Sequence, residues 1–208
     1  MKKTQTASII FLSFLIIFGL SSLNAAENDG PKADLPVIVS SCGQSPGPAL
    51  LKVLFMKMKL EYKPKAYEIN PLATADDLIK MKEAGTPYRT LIIVMGASLK
   101  GMGAAGISID DELVRTEKLI EEARNQSITL IGAHIEGMKR RAQGASAGDN
   151  TDELSIDTVA PVSDFLIINK AGDEDGRFTT IAKEKNIPLV SVEKNLELLN
   201  ELKKIFTK

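Results

Sequence analysis

Cysteine, histidine and tryptophan are almost missing from this chain: 208 residues contain one Cys, one His and no Trp. A single cysteine excludes an internal disulfide framework, and a single histidine excludes a multi-histidine metal centre. Neither charge sign dominates, with 26 Lys+Arg against 27 Asp+Glu. That balance gives no chain-wide attraction for nucleic acid or for an anionic membrane. Aromatics are few. Past residue 26 they are Phe55, Phe165, Phe178, Phe206, Tyr62, Tyr67 and Tyr88. Their sparseness disfavours a carbohydrate-stacking platform or a groove for single-stranded nucleic acid. The apolar run from Ala7 to Leu20 has 14 residues, whereas a membrane span needs ~20.

What is present reads as an exported globular chain. Apolar residues make up 44% and charged residues 25%, which excludes wholesale disorder and fibres. Lys2 and Lys3, the apolar run, and small residues ending in Asn24-Ala25-Ala26 follow the order of a removable secretory signal, with an uncleaved anchor as the other reading. A cut after Ala25 or Ala26 puts Leu23 or Asn24 at the third position before it, and neither is ideal. Removing residues 1–26 leaves 182 residues with a formal charge of −3. No cysteine near the cut points to lipid attachment. The expected product is periplasmic or extracellular, with no stable membrane insertion after signal removal. Residues 27–35 read as a flexible lead-in, and 36–208 as a single α/β domain.

Strand and helix patterns alternate along that domain. Pro36–Ser41, Tyr67–Ile69, Thr90–Met95, Ile128–Ile135, Phe165–Ile168 and Ile187–Val192 are short apolar runs. Between them lie helical stripes: Leu50, Val53, Leu54 and Met58; Leu78 and Met81; Leu113, Ile120 and Ala123. Phe178, Ile181 and Ala182 follow, then Leu196, Leu199, Leu202 and Phe206. A short helix is expected within 152–162. Thr74 with Asp77, and Ser108 with Asp111, have capping-box spacing. Residues 96–106 read as a glycine-rich loop, and 137–151 as a mobile loop or short helix. The expectation is a three-layer α/β/α Rossmann-like sandwich with a mostly parallel sheet of five to six strands. Ligands in such folds bind beyond the carboxyl ends of strands.

Three loops at those ends carry candidate chemistry. After the first strand come Cys42, Gln44 and Ser45. A thiol beside a helix start could be a nucleophile, although a half-buried structural residue is the commoner role. The 96–106 loop offers Ser98, Lys100, Gly101 and Gly103, where backbone N–H groups and a cation could cradle an anion. The other reading is a crossover that touches nothing. After the fourth strand, His134 could act as base or donor, and Lys139, Arg140 and Arg141 could clamp a carboxylate or phosphate. Asn70-Pro71-Leu72 could also touch a ligand or simply open a turn.

Several complete motifs fail. Gly101, Gly103 and Gly106 spell G-x-G-x-x-G, but the spacing from strand and helix is wrong and the acid is misplaced. Met102-Gly103 replaces the Lys-Ser/Thr of a phosphate loop. A triad of Ser45 or Ser98 with His134 and Asp164 lacks the G-x-S-x-G elbow. Asp173-Glu174-Asp175-Gly176 does not fit a calcium-loop frame, which would need ligands at Ala171 and Ala182. No cofactor and no metal is expected.

Five blocks carry a resemblance: 37–45, 70–78, 98–107, 132–141 and 163–188. Together the chain resembles a family of exported bacterial proteins classed as a domain of unknown function. The resemblance spans about the whole mature chain. It implies an exported α/β domain and supplies no catalytic residues. Three functions stay open: binding of a small anionic molecule, an accessory or scaffold subunit of an envelope complex, and an enzyme using His134 or Cys42.

Overall fold

A computed structural model describes residues 30–142 and 150–206. The expected signal, residues 1–26, and residues 143–149 of the expected mobile loop lie outside the described residues. Six strands form one sheet: β1 (Val37–Cys42), β2 (Tyr67–Ile69), β3 (Thr90–Met95), β4 (Thr129–His134), β5 (Phe165–Asn169) and β6 (Leu189–Val192). All neighbours pair in parallel, in the order β2-β1-β3-β4-β5-β6. Among the described residues seven α-helices cover it: α1 (Gly47–Met58), α2 (Ala75–Glu83), α3 (Leu99–Ala105), α4 (Ile109–Asn125), α5 (Thr151–Val159), α6 (Arg177–Lys185) and α7 (Asn195–Phe206). The order reverses once, between β1 and β3, so the α/β/α sandwich is the variant with its switch point there.

The period-2 geometry of strands divides the apolar residues between two cores. Ile38, Leu91, Ile93, Met95, Leu130, Leu166 and Ile168 face Leu78 of α2, Leu119 of α4, Ile156 of α5 and Phe178 of α6. Val37, Val39, Ile92, Val94, Ile131 and Ile167 face Leu51 and Phe55 of α1 and Leu198, Leu202 and Phe206 of α7. β1 and β3 are buried along their whole length because both faces are covered. The register places Cys42 beside Met95 and His134 beside Ile168, so the strands end nearly flush.

Both expected capping boxes form, Thr74 with Asp77 and Ser108 with Asp111. Val53 and Leu196, read on inner stripes, are exposed, and the reading of the glycine-rich segment is corrected. Residues 96–106 are not one loop, because α3 occupies Leu99–Ala105. Two glycines inside a helix each cost about 1 kcal/mol of propensity, which is why the pattern reads as a loop. Ser98 caps the start through Gly101 N–H at 3.1 Å, and Gly106 (φ +68°) closes the end. Buried Met102 ties the short helix down. Among the described residues, no helix is long and apolar enough to cross a membrane.

Candidate functional site

The carboxyl edge of the sheet at the β1/β3 reversal concentrates left-handed backbone. Gly43 (φ +104°) and Gln44 (+56°) follow β1, Gly96 (+138°) follows β3, and Gly137 (+62°) lies three residues past β4. The β1 and β3 loops touch backbone to backbone. Ser98 N–H donates to the Gly43 carbonyl at 2.7 Å, and a Cβ on Gly43 would lie 2.5 Å from the Gly96 oxygen. Gln44 has a side chain and still sits at positive φ, a strain that clusters at functional sites.

Two charged clusters hold this crest, one on each side of the sheet. On the α4 side, fully buried Glu112 accepts from Gly43 N–H at 2.9 Å and Gln44 Nε2 at 2.8 Å. Its second oxygen accepts from Arg115 Nε at 2.9 Å. Arg115 also donates to the Ser41 and Ala73 carbonyls. Gln44 Nε2 additionally donates to the Pro71 carbonyl at 3.0 Å. The sequence pattern puts the inner stripe of α4 on Leu113, Ile120 and Ala123; Ala123 is buried there, Leu113 and Ile120 are only partly buried, and Glu112 and Arg115 were not singled out. The buried row is Glu112, Thr116, Leu119 and Ala123. That i, i+4, i+7, i+11 spacing was the available signal.

On the α1 side, Glu136 accepts from Gly47 N–H at 3.2 Å, at the start of α1, and from Arg140 Nε at 3.3 Å. Arg140 Nη1 donates to the Ala97 carbonyl at 2.8 Å. Asp152 Oδ1 accepts from Ala97 N–H. Burial holds the Asp152 carboxyl above its ordinary pKa. Ser45 is buried, and its hydroxyl accepts from Gly47 N–H at 3.3 Å. Glu136 and Asp152 are further residues that sequence reasoning did not single out. They come from two segments that meet only through the fold.

Adjacent arginines in the basic run have opposite surroundings. The Arg140 side chain is 24% exposed, that of Arg141 only 1%. Arg141 donates to Glu153 at 2.8 Å, to Asp175 at 2.6 Å and to the Gly172 carbonyl. Burial works against its charge, yet these bonds hold its pKa above the ordinary value. Its bond holds Asp175 down at about 2. The clamp expected of Arg141 is therefore an internal tie joining α5 to the segment before α6.

His134 is fully buried. Its Nε2 lies 2.9 Å from the Arg140 carbonyl, its ring packs 4.9 Å from that of Phe178, and burial lowers its pKa. An Nε2–H donor to that carbonyl leaves Nδ1 the unprotonated nitrogen. Nδ1 has no hydrogen-bond partner among the described residues and abuts Gly172, where a Cβ would come within 2.6 Å. Cys42 is also fully buried, and burial pushes its thiol up to about 12. Neither reaches solvent as a nucleophile or base would need to. Asp164 bonds Arg124 and the Leu130 N–H at the amino edge of the sheet, so the triad with His134 is not assembled.

Ser98, Gly101 and Gly103 are local to α3. The Gly101 N–H is taken by Ser98, Gly103 faces open space, and Lys100 is exposed. Asn70 Oδ1 accepts from Leu72 N–H at 3.2 Å, the turn-opening role. A cleft of about 520 Å³ lies elsewhere, between the starts of α2 and α4, lined in part by Asp76, Asp110, Asp111, Arg115 and Lys118.

A protein-family model described as a domain of unknown function (DUF6305) matches residues 34–206. No curated protein sequence matches the chain. Among solved structures, the chain is similar to a protein assigned as lipolytic, of the G-D-S-L family, from Desulfitobacterium hafniense DCB-2. Identity is 15% and the TM-score 0.32, over 76% of this chain and 77% of that one. It is also similar to the acetyl xylan esterase AlAXEase, at 13% identity and a TM-score of 0.35, over 81% and 85% of the two chains. Likeness at this level carries no argument about activity.

Proposed function

This chain belongs to the DUF6305 family, and we propose that it is an exported, non-catalytic binding domain. Its ligand is a small anionic molecule held at the carboxyl crest over β1, β3 and β4. The observation that carries this reading is Arg140. It is the partly exposed cation at the crest, and among the described residues its Nη2 has no hydrogen-bond partner. Glu136 supports the reading. Its carboxylate rests between Gly47 N–H and Arg140 Nε on long bonds of 3.2 and 3.3 Å. A ligand carboxylate or phosphate can take the same donors and gain a bidentate arginine contact. Ser45 and Gln44 border this position, and the strained β1 loop is held by Glu112 rather than left free. Export rests on the leader-like residues 1–26. Burial of Cys42 and His134 favours binding over catalysis by either.

A thermal-shift screen against carboxylates, phosphates, nucleotides and amino acids tests the reading. A ligand at ~100 times its Kd adds about 2.7 kcal/mol. At ~2–4 °C per kcal/mol, that raises Tm by roughly 5–11 °C in a chain of this size. The shift should vanish in Arg140→Ala and persist in Lys139→Ala. Absence of any shift, or a shift that survives Arg140→Ala, overturns the reading and favours a protein partner.

A further inference from the structure

The even overall charge hides a local concentration. Residues 52–65 contain Lys52, Lys57, Lys59, Lys63 and Lys65 against one acid, Glu61. All five lysines are exposed. Lys65 pairs with Glu68 at 3.4 Å, while Lys52, Lys57, Lys59 and Lys63 have no ion pair among the described residues. Large apolar side chains stand among them in solvent: Val53 is 47% exposed, Met56 62% and Tyr62 44%. Positions 52, 53, 56 and 57 share one face of α1 at helical spacing. That face points away from the core, since Leu51, Leu54 and Phe55 supply the inner side.

The place of this surface is fixed by aromatic contacts. Phe55 stacks on Tyr67, the first residue of β2, with centroids 5.1 Å apart, and meets Phe206 edge-on at 5.7 Å. The end of α1 therefore lies at the amino edge of the sheet, opposite the crest. Exposed Lys203 and Lys204 belong to the last turn of α7 beside it. The described chain also enters here, with Ala33 N–H donating to the Ile205 carbonyl at 3.1 Å.

We propose that this surface docks the domain on an anionic phospholipid bilayer, with the crest turned away from the lipid. Lysines provide diffuse attraction to headgroups. Val53 and Met56 enter the interface between them, and Tyr62 has the amphipathic ring that favours this depth. An acidic protein fits less well. The cations here are lysines rather than arginines, so they lack the bidentate match to carboxylates. The apolar groups also stand on a convex helix face rather than in a groove.

Co-sedimentation of the chain from Glu27 onward, which carries both cores and every described element, tests the proposal. It should pellet with vesicles of phosphatidylcholine containing a third phosphatidylglycerol, and not with phosphatidylcholine alone. Higher salt should release it. Replacing Lys52, Lys57, Lys59 and Lys63 by Gln together should weaken binding by more than about tenfold. Val53→Ser with Met56→Ser should weaken it severalfold. Both variants change exposed residues, so unaltered thermal unfolding verifies that they remain folded. No pelleting with anionic vesicles overturns the proposal, as does unchanged binding of the quadruple variant. Equal binding to soluble polyglutamate, indifferent to Met56, would replace it with an acidic protein partner.

Discussion

Removing the buried Glu112 carboxylate should strongly destabilise the crest. Glu112 is fully buried and accepts from Gly43 N–H, Gln44 Nε2 and Arg115 Nε at 2.8–2.9 Å. Glu112→Ala leaves the arginine charge, a backbone N–H and an amide without their acceptor. Breaking a buried pair from one side costs about 3–5 kcal/mol. A domain of this kind has about 5–15 kcal/mol in total. At ~2–4 °C per kcal/mol, Tm should fall by roughly 6–20 °C. Arg115→Ala should cost a similar amount because it leaves Glu112 buried and unpaired. The double variant should cost less than the two combined, by at least about 1 kcal/mol. Glu112→Gln keeps an acceptor for Gly43 and should lie between. Urea unfolding of the four variants measures all of this. A cost below about 1 kcal/mol for Glu112→Ala, or strict additivity, would refute the claim that this pair holds the β1 loop.

Other consequences can be checked by equally simple means. Gly101→Ala sets a Cβ 2.2 Å from the Gln44 carbonyl oxygen and should cost about 1–3 kcal/mol. Gly103→Ala faces open space within α3 and should stabilise by up to about 1 kcal/mol; thermal unfolding of the pair reads the contrast. Cys42, its thiol pushed up to about 12 by burial, should resist a disulfide reagent in the native protein and react only in denaturant. Burial lowers the His134 pKa below 6.5, so the unfolded chain takes the proton first. The stability this group contributes is complete above 6.5 and is lost as pH falls from there toward the depressed folded value. Urea midpoints between pH 7.5 and 5 should show a slope of at most ~1.4 kcal/mol per pH unit that His134→Asn removes.

The layers of this fold are legible in the sequence because each rests on a local period. The parallel strands are buried runs such as TLIIVM at 90–95, and two helix starts carry capping boxes at Thr74 and Ser108. What local pattern cannot give is the assignment of single residues where chain segments far apart in sequence meet. Arg140 and Arg141 are neighbours in one basic run, and their separation into an open and a buried guanidinium depends on Glu153 and Asp175. α3 is obscured in part because Gly101 answers to contact with Gln44, fifty-odd residues earlier, and not to its own helix. Glu112 lies on a periodic inner row with Thr116, Leu119 and Ala123, but its charge argues for solvent and masks that spacing. Its acceptors' partners at Gly43 and Gln44 appear only once β1 is placed beside α4.

Amide chemical shifts of isotope-labelled protein, titrated with the anion that stabilises it most, test the central claim directly. The resonances expected to move are those of Gln44, Gly47, Ala97 and Glu136, together with the Arg140 side chain, and Arg140→Ala should abolish the movement. Shifts confined to the cleft between α2 and α4, or none at saturating anion, would contradict a binding site on the crest.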